Sequence, residues 1–194
     1  MQAIGILGGT FNPIHLGHLV MAQEVFEKLK LDKIIFVPSN IPPHKRKDVV
    51  PAAKRYAMVR LAIQGNPAFE VSDCEIKRAG KSFSIDTAQF LRQQFPVGTK
   101  FFFIIGGDSF STLSTWKNID QLCQLVSFVV VNRPGSKRRR SRIKTKFVSM
   151  PSIGISSSDI RKRIAKNQSI KYLLSNQVVE YIEKNKFYHK RDRS

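Results

Sequence analysis

In the stretch GILGGTFNPIHLGH, residues 5–18, two histidines stand three positions apart behind a pair of glycines, a threonine and a proline. At the opening of a helix, positions i and i+3 share a face, so His15 and His18 would aim at one object. Two imidazoles beside a phosphate suit phosphoryl or nucleotidyl transfer, where catalysis is mostly positioning plus stabilisation of charge growing on oxygen. Two other readings stay open for the pair: a zinc site, for which no third ligand is indicated, and helix capping. Gly8 and Gly9 would let the backbone approach a ligand closely. Pro13 would fix the turn, and the helix opening behind it would offer amide donors to an anion. The stretch contains neither GK[ST] nor GxGxxG, so it is not a Walker loop or the common dinucleotide fingerprint.

A second constellation is ISSSDIRKRI, residues 155–164. Ser156 with Asp159 reads as a capping box, worth ~1 kcal/mol of local stability and by itself nothing more. Ser157 and Ser158 crowd the same helix opening and Arg161 lies one turn in, so hydroxyls, amides and a guanidinium could converge on a phosphate. Two anion-binding helix openings in one small domain suggest a triphosphate held between them.

The chain that must position these groups alternates strand-like and helix-like stretches. Apolar runs rich in β-branched and aromatic residues at 3–7, 33–37, 100–105, 126–131 and 146–150 read as strands buried on both faces. Helical patterning covers 16–31, 51–64, 84–95, 118–125, 156–167 and 175–186. This alternation predicts an α/β fold, a parallel sheet with helices on both faces, with a small helical subdomain from about residue 151. The glycine-histidine turn then falls at the carboxyl edge of the sheet, where open α/β sheets bind ligands.

Composition narrows the setting. With 194 residues and 42% hydrophobic content, one globular domain is expected. Cys74 and Cys123 have no CxxC partner, which argues against a disulfide framework or a cysteine zinc site and fits a cytoplasmic location. No apolar run approaches the ~18 residues a membrane span needs, so a soluble, non-exported protein without a membrane partner is expected. The net charge of +19 predicts salt-sensitive attraction to phosphates, in a small nucleotide or a polymer. The run KRRRSRIKTK at 137–146 has no assigned role and is taken as a solvated loop.

Taken in order, GGTFNPIHLGHL, VPSNIPPHK at 37–45, the stretch from Glu75 through RAGKSFSIDT, IIGGDSFSTLSTW at 104–116, VVVNRPG at 129–135, ISSSDIR at 155–161 and YLLSNQVVEYIEKNKFY at 172–188 carry a resemblance over nearly the whole chain. The sequence resembles the bacterial nicotinate-nucleotide adenylyltransferase family, within the nucleotidyltransferases marked by an HxGH motif. The resemblance implies one Rossmann-like nucleotidyltransferase domain over residues 1–194. It implies transfer of AMP from ATP to nicotinate mononucleotide, giving deamido-NAD and pyrophosphate, with Mg²⁺ carried by the substrate. On it, His15 and His18 match the catalytic pair. Gly8, Gly9, Thr10 and Phe11 match the ATP-binding turn, and Ser156, Ser157 and Arg161 match the ATP-phosphate end. Lys45, Arg133 and Asp108 match positions in the mononucleotide site, and the nicotinate ring is expected near Ser84 and Trp116. An aromatic face can stack on a pyridine and backbone amides can receive its carboxylate; Trp116 as core filler is the alternative.

The chain departs from the family's usual pattern at Phe83 and Ser84, where tyrosine and threonine are common, and at Lys117, where an aromatic is common. That lysine could reach the ring carboxylate or point to water. The competing functions are transfer to nicotinamide mononucleotide or phosphopantetheine and, from a different class, nucleic-acid binding. The last explains the charge but not the glycine-histidine turn.

Overall fold

The computed structural model describes residues 1–41, 49–78, 80–132 and 142–189. Six strands, β1 (Ala3–Gly9), β2 (Lys33–Pro38), β3 (Phe69–Val71), β4 (Lys100–Gly106), β5 (Ser127–Asn132) and β6 (Thr145–Ser149), form one sheet in the order β3-β2-β1-β4-β5-β6. All pairings are parallel. The helices are α1 (Leu16–Lys28), α2 (Ala52–Ala62), α3 (Cys74–Lys77), α4 (Ser84–Gln94), α5 (Gly107–Phe110), α6 (Ile119–Leu125), α7 (Ser157–Ala165) and α8 (Asn176–Lys184), with a 3₁₀ turn at Leu113–Thr115. The expected parallel, Rossmann-like sheet is therefore present, with β3 added at its edge beside β2.

Alternate strand residues feed two cores. Leu7, Ile34, Phe36, Ile104 and Val131 pack with Ala22, Met58, Ile160 and Val178 on one face. Ile4, Ile35, Phe103 and Val130 pack with Ile85, Leu91 and Leu122 on the other. Helices α1, α2, α7 and α8 thus cover one face, and α4 and α6 the other, so both faces of the central strands stay apolar as a parallel sheet requires. The C-terminal residues Ile164, Ile170, Leu174 and Ile182 belong to the same core as Leu7 and Phe36.

Three helices stop short of their apolar pattern by one device. After α1, Lys30 takes φ 49° and the Leu31 amide donates to Phe26 O at 2.9 Å. Asn167 after α7 and Lys186 after α8 take φ 54° and 51°, with the Gln168 and Phe187 amides reaching back to Arg163 O and Ile182 O. These are Schellman-type ends built on lysine or asparagine where glycine is usual. The expected helix over 16–31 therefore ends at Lys28.

Candidate active site

Consecutive connections leave β1 toward β2 on one side and β4 toward β5 on the other, so the strand order reverses between β1 and β4. At that point, outside the carboxyl ends of the strands, a cavity of about 560 Å³ opens. His15, Gly17 and His18 at the start of α1 form one wall, and Gly107, Asp108 and Ser111 around α5 another. Asn132 at the end of β5, and Ile153, Ile155 and Ser156 before α7, complete it.

The histidines are fixed by the helix they open. His15 is the N-cap of α1, and its backbone N–H donates to His18 Nδ1 at 3.2 Å. The two rings lie 3.8 Å apart between centroids. With Nδ1 accepting, a neutral His18 carries its ring proton on Nε2 as a donor. Capping and a site role are thus compatible in this pair. A zinc site is not supported, since no group of three or more His, Cys, Asp or Glu able to hold a metal occurs among the described residues.

The turn before α1 owes its shape to a buried ring. Phe11 takes φ 47° and is 2% exposed. A Cβ on Gly9 would come within 2.9 Å of Phe11 Cζ, so that glycine is demanded by the ring beneath it. Gly8 is exposed, and a Cβ there would meet only Phe103 at ordinary distance. Packing therefore does not demand glycine at position 8, while Gly9 has a packing reason that sequence spacing does not reveal.

Helix α7 docks onto this turn. Ser156 accepts from the Asp159 amide at 3.1 Å, the expected N-cap bond. Its hydroxyl donates to the Asp159 carboxylate at 2.7 Å, so the carboxylate meets the side chain of the cap and the full capping box is not what forms. The Ser156 bond holds the Asp159 carboxyl below its usual range. Ser157 Oγ donates to Pro13 O at 2.8 Å, and Arg161 donates to Asn12 O at 2.8 Å and to Ser158 Oγ at 3.2 Å. Ser157 and Arg161 thus hold the two helix openings together, and Ser156 lines the cavity with His15 and His18. From the far end of the chain, the Tyr188 hydroxyl donates to Asn12 Oδ1 at 2.9 Å, and burial pushes its phenol up. No local pattern could have signalled that contact across 176 positions.

Ser84, Trp116 and Lys117 are not among the residues lining the cavity. Trp116 is half-buried, edge-on to Phe103 and Phe128 at 5.9 and 6.1 Å between centroids. Ser84 opens α4. Lys117 is exposed, with Nζ 4.4 Å over the Phe83 ring, so residues 116–117 lie against the start of α4. Nearby, Thr87 Oγ1 donates at 2.6 Å to Glu75, which is 7% exposed and whose carboxyl is pushed up by burial. Lys45, Arg133 and residues 137–141 of the basic run lie outside the described residues.

Sequence reasoning passed over Asn132 and Arg55. Asn132 Oδ1 stands 3.1 Å from where a Gly107 Cβ would be, so that glycine makes room for it. Arg55 is fully buried, which a positive residue within a helical pattern does not suggest.

Residues 6–163 match the cytidylyltransferase-like family. A probable nicotinate-nucleotide adenylyltransferase of Oceanobacillus iheyensis is 44% identical over 188 residues, covering 97% of each chain. One of Shouchella clausii is 45% identical over 189 residues, again covering 97% of each. Among solved structures, the fold is similar to Plasmodium falciparum nicotinic acid mononucleotide adenylyltransferase in complexes with NaAD and with APC, with TM-scores of 0.77 and 0.76. Both share about a fifth of their residues with this chain and are covered to 98% of their length, with 97% of this chain aligned. With the matched family spanning most of the sequence and relatives of this similarity aligned nearly end to end, the chain belongs to the cytidylyltransferase-like family and, within it, to the nicotinate-nucleotide adenylyltransferases.

Proposed function

We propose that this enzyme transfers AMP from ATP to nicotinate mononucleotide, in the cytoplasm and as one domain over residues 1–194. The carrying observation is that the opening of α1, with His15 and His18, and the cap of α7, with Ser156, line one cavity at the strand-order reversal. Shared core packing of α7 and α8 with the sheet supports the single domain, and two free cysteines fit a reducing compartment.

A phosphate oxygen of the mononucleotide attacks the α-phosphorus of ATP. One P–O bond forms as the bond to the bridging oxygen breaks, and pyrophosphate leaves with the electron pair. His18 Nε2–H, with His15 beside it, donates to the oxygens where charge accumulates. Gly8, Gly9, Thr10 and Phe11 seat the nucleotide, and Ser156 supports its phosphates, with Ser157 and Arg161 holding that helix opening to Pro13 and Asn12. Asp108, Lys45 and Arg133 serve the mononucleotide, with its ring at Ser84 and Trp116.

Enzymes of this class generally use a divalent metal, and we assign Mg²⁺. The cavity suits an ion held mainly by phosphate oxygens and water, because Asp108 is the carboxylate among its described lining residues. Bound there, the ion supplies charge neutralisation of the leaving pyrophosphate. The test is pyrophosphate release from ATP with nicotinate mononucleotide, nicotinamide mononucleotide and phosphopantetheine side by side. Preference for the first is expected; preference for either of the others would overturn the assignment of substrate.

A further inference from the structure

Among the described residues, the guanidinium of Arg55, 0% exposed, is hydrogen-bonded to four backbone carbonyls and to no carboxylate. Nε donates to Val50 O at 2.8 Å and Nη1 to Thr10 O at 2.7 Å. Nη2 donates to Ser39 O at 2.7 Å and Asn40 O at 3.0 Å. Three separate segments therefore converge on one side chain: the glycine-histidine turn, the end of β2, and the entry to α2. A charge this deeply buried survives only when its donors are satisfied, and here four of the five guanidinium N–H groups have acceptors.

The bond to Thr10 bears directly on the site. The Thr10 carbonyl and the Phe11 amide share one rigid peptide plane, so holding the oxygen sets the orientation from which Phe11 reaches φ 47°. Phenylalanine rarely adopts that region, and turning the peptide over would release Phe11 to a negative φ while breaking the Arg55 bond. The Phe11 ring in turn sits edge-on to His18, 5.1 Å between centroids at 76°.

We propose that Arg55 is a positioning residue for nucleotidyl transfer, holding the Thr10–Phe11 peptide in its left-handed turn and, through the Phe11 ring, the His18 imidazole against the cavity. It touches no cavity-lining side chain in this role, and its effect falls on alignment in the transition state. The inference rests on the proposed function for what the cavity does, but not for the geometry of the clamp. A lysine has three donors on a compact head and cannot span four carbonyls arranged around a planar fork.

The decisive variant is Arg55→Lys, assayed by pyrophosphate release well below its melting temperature. A kcat at least tenfold lower at saturating concentrations of both substrates is expected, because alignment is lost even when the loosened Thr10–Phe11 turn is filled with nucleotide. A folded variant that melts earlier yet keeps kcat within twofold of wild type would overturn the proposal and leave Arg55 a purely structural residue. Should Arg55→Lys fail to fold, the wild-type protein decides the matter through the ¹⁵N resonance of Arg55 Nε–H under saturation with a non-hydrolysable ATP analogue. A shifted resonance or slowed exchange supports the clamp, and no response overturns it. Absence of pyrophosphate release by the wild type would count against the assigned reaction alone, since the Nε–H response to the nucleotide is read without turnover.

Discussion

His18 Nδ1 closes the start of α1 by accepting the His15 amide, which puts the ring proton of the neutral imidazole on Nε2, the nitrogen proposed to act on phosphate oxygens. His18→Ala therefore has two consequences that separate by measurement. Loss of a transition-state donor lowers kcat by about 10²–10³ with little change in the KM for ATP. Loss of the cap acceptor lowers unfolding free energy by about 1 kcal/mol. Near-normal turnover would remove His18 from the mechanism. Trp116 offers a partly exposed ring wedged between Phe103 and Phe128. Trp116→Ala is expected to raise the KM for nicotinate mononucleotide more than that for ATP; equal changes in both would refute a ring site there.

Helices α1 and α7 meet at their openings because α7 is bonded to the turn that starts α1. Ser157 and Arg161 reach Pro13 and Asn12 across 144 and 149 positions. This alters the reading of ISSSDIR: its second serine and its arginine already serve backbone carbonyls, and Ser156, at the cap, faces the cavity. Ser156→Ala removes both cap bonds and is expected to lower stability by about 1 kcal/mol in urea unfolding. The same change is expected to raise the KM for ATP, and an unaltered KM would confine Ser156 to capping. The strand β3 and the single-turn helices α3 and α5 left no trace in the periodicity. Three- and four-residue pieces span little more than one repeat of their own pattern, too little for a period to show, and β3 exists because the edge of β2 offers it a ladder.

The two-faced core places one ionisable group against its own chemistry, with a consequence for the folded chain as a unit. Glu75 is buried beside Thr87 and Ser82, and desolvation raises its carboxyl above the ordinary glutamate value. A group that binds its proton more tightly when folded supports folding at low pH, and that support is lost as pH rises from about 4.3 through the raised value. Wild-type thermal melts across that window should therefore fall with pH relative to Glu75→Gln, whose neutral amide has no such slope. Parallel profiles for the two proteins would show that Glu75 titrates alike in both states.

Much of this molecule was legible along the chain. The β-branched and aromatic runs marked five of the six strands, since a strand buried on both faces must be apolar throughout. The GGTFNPIHLGH stretch marked a strand-to-helix turn with two imidazoles on one face, because local spacing alone sets which side chains share a helical turn. Local spacing says nothing about which distant backbone a side chain will meet. Gly9 yields to the Phe11 ring, Asn12 is held from position 188, and Arg55 gathers the carbonyls of three segments. Those contacts exist only after the sheet order brings β1, β2 and α7 together, and with them the openings of α1 and α7 come to line a single cavity.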